Sequence, residues 1–279
     1  MSSDIVKSLE NIENKVFLVT GGAAGIGAGI VRALLLENAR YVAFLDIAEK
    51  EGSHLEKELL GMFGALRAKF IKCDITDETQ LNAAYEQVFE KYRRLDVVIN
   101  NAGVLAADDN DYKRIVDVNL TATISSTLKA ISHMGVDKGG MGGTVINVSS
   151  LLAFNAKPHL PVYKSTKIAV LQFSNSIGSE QFYSKTKVRV VTVCLGPTDT
   201  AILQKPNLQK FDKDHSQSLT SRAKDRQSVQ SAVHGMLQVI NNGTSGSTWM
   251  VADGKPPVDI SKNIVEGFTA MLSGINKND

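Results

Sequence analysis

Six short apolar runs constrain the fold of this chain more than any other feature. They are KVFLVTG (15–21), YVAFLDI (41–47), AKFIKCDI (68–75), LDVVINNAG (95–103), GTVINVSS (143–150) and VRVVTVCLG (188–196). The early ones are apolar throughout. A strand with one wet face alternates apolar and polar side chains, whereas an unbroken run belongs to a strand covered on both faces, as in parallel sheets. Helical patterns separate the runs. Ile26, Ile30, Ala33 and Leu34 recur at helical spacing, a charged helix extends to about 63, and further helices are expected over 79–92, 110–135, 160–182 and about 227–241, the last leading into STWMVADG. This βαβ rhythm predicts an α/β fold: one domain over 1–279, a doubly wound parallel sheet with helices on both faces.

Composition narrows the classes. The chain has 279 residues, 43% of them hydrophobic, and a net charge of +2, enough apolar content for a sizeable core and too little basic excess for nucleic acid. Cys73 and Cys194 each lie inside an apolar run and are expected to pack in the core; the five histidines show no metal-ligand spacing. The opening MSSDIVKSLENIENK does not have the pattern of a signal peptide, and no apolar stretch approaches membrane-spanning length, so a cytoplasmic protein is expected. The polar stretch 197–226 is long for a loop in a compact domain and is expected to form a substrate-binding region.

Two stretches carry chemistry. TGGAAGIG, Thr20 to Gly27, turns the first strand into the first helix. Gly21, Gly25 and Gly27 permit a tight turn and close approach of backbone to a pyrophosphate, which the helix N-terminus then meets with amide donors. About twenty residues on, Asp46 ends the second strand, where a carboxylate can accept from ribose hydroxyls and repel a 2′-phosphate. Ala24 and Ile47 offer no cation for such a phosphate, so NAD is the expected cofactor. The alternative for Asp46 is a cap on the next helix. Asp74, after the third strand, either reaches the adenine or closes a turn. The second stretch is LPVYKSTKIAV, which sets Tyr163 one helical turn before Lys167. An ammonium beside a phenol favours the phenolate and draws its pKa below the usual value of about 10. On its own this spacing serves packing as readily as proton transfer.

In order along the chain, TGxxxGxG, an acid ending the second strand, NNAG at 100–103, serines at 149–150, YxxxK and LGPTDT at 195–200 resemble the short-chain dehydrogenase/reductase family, over roughly 12–255. The resemblance implies a Rossmann-like fold and a set of roles. Tyr163 would be the acid/base, Lys167 its pKa-lowering neighbour and a nicotinamide-ribose contact, and Ser150 the hydroxyl that polarises the substrate oxygen, with Ser149 as the competing serine. Asn119 would hold a water in a proton relay, or else simply cap or bend its helix. Asn101, Ala102, Gly103, Pro197, Thr198 and Thr200 would border the cofactor, as would Ile26 in the loop and Ile75 beside Asp74. Leu152, Phe154, Ile202 and Leu203 would join Ser150 and Tyr163 around an apolar substrate, with Leu151 and His159 nearby. Family members commonly assemble through two long helices, here 110–135 and 160–182, so a homodimer or homotetramer is expected.

The chain departs from the family pattern at Ala153, where many members carry glycine, and at STWMVADGKPP, which lacks the usual paired glycines. That ending, with PVYKSTKIAV and GPTDTAIL, is similar to the branch of 15-hydroxyprostaglandin dehydrogenases and insect alcohol dehydrogenases. The implied activity is NAD-dependent oxidation of a secondary alcohol, aliphatic, lipid or steroid-like. The alternatives are a carbonyl reductase acting on a steroid or terpenoid ketone, and a dinucleotide-binding sensor or scaffold with little turnover.

Overall fold

The computed structural model describes residues 11–105, 111–154, 160–203 and 226–275. His159 and most of the 197–226 stretch lie outside the described residues. Strands β1 (Val16–Thr20), β2 (Tyr41–Asp46), β3 (Ala68–Lys72), β4 (Val97–Asn100), β5 (Gly143–Ser150), β6 (Val188–Leu195), β7 (Thr248–Val251) and β8 (Val258–Asp259) form one sheet in the order β3-β2-β1-β4-β5-β6-β7-β8. Every pairing is parallel except β7 with the two-residue β8.

The unbroken apolar runs have the physical cause expected of them. Phe17 and Val19 of β1 point into one core, against α1 (Gly25–Leu36), α2 (Glu49–Phe63) and α8 (Val229–Asn242). Val16 and Leu18 point into the other, against α3 (Glu78–Tyr92) and α5 (Ala122–Met134). Both faces are dry, so neither register position tolerates a polar side chain. Removing one such side chain, as in Leu18→Ala, costs about 3 kcal/mol.

The sheet winds outward from β1 in one direction through β2 and β3, and in the other through β4 to β7. The carboxyl ends of β1 and β4 therefore flank the switch point, where neighbouring crossovers diverge and leave a crevice. The glycine loop leaves β1 there, and Tyr163 and Lys167 of the stretch after β5 line the same cavity.

The helices depart from the sequence reading in three places. The expected 110–135 helix is broken into α4 (Tyr112–Val116), a π-helical turn Asp117–Thr121 and α5. The expected 160–182 helix ends as α6 (Pro161–Ile177); Gly178 and Ser179 then turn the chain into α7 (Glu180–Thr186). A further helix, α9 (Ser261–Ile275), follows β8, although the sequence reading placed the last helix near 241. The 68–75 run is strand only to Lys72. Cys73 and Cys194 are buried free thiols. Among the described residues no helix is long and apolar enough to cross a membrane.

Candidate active site

The glycine loop is a backbone construction. Gly21 and Gly25 have φ of +65° and +52°, the left-handed region that side chains avoid. At Gly27 the obstacle is space, since a Cβ there would lie 1.9 Å from the carbonyl oxygen of Gly21. The loop is tied to the end of β4. Asn101 Nδ2 donates to the carbonyls of Thr20 and Gly21, and Thr20 Oγ1 accepts from the amides of Asn101 and Ala102, all at 3.1 Å. Helix α1 then begins at Ala24 with no side-chain cap and no acid in its first turn, leaving amide donors for a ligand.

These donors border a cavity of about 1140 Å³. That is roomy beside the 300–1,000 Å³ or so of ordinary small-molecule sites, as a dinucleotide plus substrate requires. Gly21, Ala24, Gly25, Ile26, Gly27, Asp46, Ile47, Asp74, Ile75, Asn101, Ala102 and Gly103 all line it. The residues present thus fit a nicotinamide dinucleotide: an uncapped helix start, a glycine cradle and a carboxylate at the end of β2.

Asp46 is held in place from both sides, Oδ2 accepting from Ala23 N and Oδ1 from Ala48 N, each at 3.0 Å. The N-cap of α2 is Ala48, so Asp46 belongs to the loop rather than to the helix cap. Asp74 closes a turn by accepting from the amide and hydroxyl of Thr76, while Asp77 caps α3. For Asp74 the turn role and the place on the cavity wall coexist.

Across the cavity stand the acid/base candidates, at the end of β5 and the start of α6. The two serines alternate in direction, as successive strand residues must. Ser149 Oγ turns away and donates to the carbonyl of Lys167 at 2.7 Å. Ser150 Oγ accepts from Leu152 N at 3.2 Å and is hydrogen-bonded to the Tyr163 hydroxyl. Geometry therefore pairs Ser150 with Tyr163. Leu160 precedes α6 in the left-handed region, φ +57°, and Pro161 takes the first helical position, where its missing N–H costs nothing.

Lys167 is 4% exposed. Its ammonium donates to the carbonyl of Val148 at 2.9 Å and sits 5.7 Å from the centre of the Tyr163 ring. This corrects the expected electrostatics. Burial pushes the Tyr163 phenol up to about 12, with the Ser150 hydrogen bond acting in the opposite direction. Burial pulls Lys167 down to about 8, against the pull of the neighbouring Cys194. Desolvation outweighs the help that the Ser150 hydrogen bond gives to the phenolate.

Asn119 lies in the π-helical turn with its side-chain amide clamped on Val104. Its Oδ1 accepts from Val104 N at 2.8 Å, and its Nδ2 donates to Val104 O at 2.9 Å. The side chain thus fixes the wall next to Gly103, whose Cβ, if it had one, would stand 3.5 Å from Lys167 Nζ.

Pro197, Thr198, Thr200, Ile202, Leu203, Leu151 and Leu152 also line the cavity. Phe154 is not among the described lining residues and is 43% exposed. Ala153, at the departure from the family pattern, is likewise off the wall.

A family model described as short chain dehydrogenase matches residues 15–210. The chain belongs to that family. Among curated proteins it is similar to the 15-hydroxyprostaglandin dehydrogenase [NAD(+)] of Mus musculus, 32% identical over 235 residues and 84% of each chain. The Homo sapiens counterpart is 34% identical over 70% of this chain and 72% of its own. Alcohol dehydrogenase 2 of Ceratitis cosyra is 28% identical over 87% of this chain and 93% of its own. The branch read from the sequence is thus matched. Solved structures with the same fold include a 3-ketoacyl-(acyl-carrier-protein) reductase from Brucella melitensis complexed with NADH, with a TM-score of 0.72 and 23% identity over 87% of this chain and 98% of that one. Levodione reductase gives a TM-score of 0.74 at 17% identity, with the same coverage.

This short chain dehydrogenase also uses residues that the sequence reading passed over. Behind the cavity, Asn100 Nδ2 donates to Asn147 Oδ1 at 2.8 Å, Ser126 Oγ donates to Asn100 Oδ1 at 2.6 Å, and Asn147 Nδ2 donates to Ser174 Oγ at 2.9 Å. This buried network joins β4, β5, α5 and α6. Its only trace in the sequence is an asparagine late in each of two apolar strands. Val104, Leu105, Lys113, Arg114, Asp117 and Arg226 also stand on the cavity wall and were not anticipated.

Proposed function

We propose that this oxidoreductase oxidises an apolar secondary alcohol to a ketone with NAD as hydride acceptor. The observation that carries the reading is the sharing of one cavity by the Ser150–Tyr163–Lys167 group and the α1 N-terminus with its glycine cradle. Asp46 supports NAD over NADP: its carboxylate is fixed at the cavity by two backbone amides, where a 2′-phosphate would meet it. The names of the relatives from Mus musculus and Homo sapiens, which carry NAD(+), point the same way.

Tyr163 takes the proton from the substrate hydroxyl, with Ser150 donating a hydrogen bond to the same oxygen as it becomes a carbonyl. Lys167, its ammonium 5.7 Å from the centre of the tyrosine ring, offsets part of the burial cost of the phenolate as it forms. The dinucleotide, when bound, supplies the acceptor for the hydride leaving the carbinol carbon. Leu151, Leu152, Leu105, Ile202 and Leu203 exclude water and favour an aliphatic, lipid or steroid-like alcohol. The reading includes a homodimer or homotetramer through α5, α6 and α7, supported by Leu128 of α5, 48% exposed, and by exposed Phe182 of α7.

Absorbance of reduced nicotinamide, followed with NAD and with NADP over secondary alcohols from short aliphatic to prostanoid and steroid, tests the proposal. Turnover with NAD on one chemical class is expected. Turnover with NADP alone removes the Asp46 argument, and a Tyr163→Phe protein that keeps its rate removes the mechanism.

A further inference from the structure

Arg226 lines the cavity from the end of the polar 197–226 stretch, three residues before α8. Its side chain is 10% exposed. Among the described residues its ion-pair partner is Asp199, at 3.7 Å and 71% exposed. The pair is long and lopsided, a solvated carboxylate set against a desolvated guanidinium, and so compensates little of the cost of burying that charge. A guanidinium offers a planar fork of donors shaped for phosphate or carboxylate.

Backbone contacts tie Arg226 to the start of α1. Gln227 N donates to Pro197 O and Asp199 N donates to Gln227 O, each at 2.9 Å, so 226–227 runs beside 197–199. Thr200, the next residue, brings its methyl to 3.4 Å from where a Cβ of Gly25 would stand. On the other side α8 packs on α1 at Gly29, where a Cβ would meet Val229 at 3.1 Å and Val233 at 2.8 Å. The segments on either side of Arg226, at Thr200 and at Val229 and Val233, thus lie against the first two turns of α1. That helix start has no side-chain cap and no acid in its first turn. A buried cation and the positive end of a helix dipole facing one cavity repel each other unless an anion lies between them.

We infer that Arg226 binds the pyrophosphate of the dinucleotide, closing an anion clamp whose other jaw is the N-terminus of α1. The inference rests on the dinucleotide reading above. A substrate carboxylate would satisfy the same fork, and the experiment separates the two sources.

Calorimetry measures the Kd of NAD and of ADP-ribose for the wild type, Arg226→Gln, Arg226→Lys and Asp199→Asn, with circular dichroism and Tm on each protein. Arg226→Gln is expected to weaken both ligands at least tenfold, and Arg226→Lys by less. Asp199→Asn leaves the guanidinium in place without its carboxylate and is expected to bind both ligands as tightly as the wild type, or more tightly. Unchanged ADP-ribose binding by Arg226→Gln overturns the inference; if its KM then rises only for alcohols bearing a carboxylate, the guanidinium serves the substrate instead. Should Arg226→Gln fail to fold, Asp199→Asn decides, because weaker ADP-ribose binding by that protein overturns the clamp. A wild type that binds neither ligand sinks the dinucleotide reading and the clamp with it, whereas a wild type that binds both beside an unchanged Arg226→Gln sinks the clamp alone.

Discussion

The two walls of the cavity are made of different material. On the β1–β2 side the ligand would meet backbone: a glycine loop, the amides of α1 and a carboxylate pinned by two more amides. On the β5–α6 side it would meet side chains, Ser150, Tyr163 and Lys167, and burial sets the protonation of the last two. The first wall is fixed by sterics and has one shape. The second is fixed by desolvation and has states. Substitutions on the first wall should therefore act on binding, and those on the second on rate and pH dependence.

The largest effect should come from Tyr163→Phe. It removes one oxygen and should lower kcat by two orders of magnitude or more, while calorimetry finds the Kd for NAD within a few-fold of wild type. A Kd that moved as much as kcat would break the comparison, because Tyr163 would then be part of the binding wall. Next is Gly27→Ala. The added Cβ cannot coexist with the Gly21 carbonyl at 1.9 Å, so the loop must open. NAD binding should weaken at least a hundredfold, with a loss of about 2 kcal/mol or more in urea unfolding. Here kcat at saturating NAD should change less than Kd.

The third test concerns pH. Burial holds the folded-state pKa of Lys167 near 8 against its ordinary 10.5. Between those values the unfolded chain binds more protons than the folded one, so this residue makes stability rise with pH across that window. Its contribution is absent below about pH 8 and complete above 10.5, a gain of about 3 kcal/mol at most. Lys167→Met should abolish that rise: the stability of wild type relative to the variant, from urea unfolding at pH 7.5 and at pH 10, should increase at the higher pH. A gap that does not change with pH would mean the ammonium is better solvated than its burial implies.

The smallest effect is expected from Asp46→Ser. The variant keeps a hydrogen-bonding side chain near Ala23 and Ala48 but loses the charge. The ratio of kcat/KM for NAD to that for NADP should fall tenfold or more, with a Tm loss of a few degrees. An unchanged ratio would place cofactor choice elsewhere on the first wall.

The contrast also accounts for what the sequence made legible. The glycine loop, Asp46 and the apolar strands could be read because their causes are local: a positive φ, a strand end, a dry face. The pair Tyr163 and Lys167 was legible as a spacing, but the direction of the tyrosine's shift was not, since burial depends on elements far apart in the chain. The choice between Ser149 and Ser150 needed the pleat of β5 to show which hydroxyl faces Tyr163. Arg226 was invisible because its position depends on contacts to Pro197, Thr198 and α1, none of them near in sequence. The break after Val116 was hidden because Asp117–Thr121 reads as ordinary helix; only the clamp of Asn119 on Val104 reveals why a wider turn is kept there.

The buried thiols have a practical consequence. Cys73 and Cys194 are the chain's two cysteines, and burial raises them to about 11 and about 12. Neither offers a thiolate to an alkylating dye near neutral pH. This chain is therefore already a quiet background for maleimide chemistry. One cysteine introduced at exposed Leu36 and another at exposed Leu60 would each take a single fluorophore, with no native residue replaced to silence the rest.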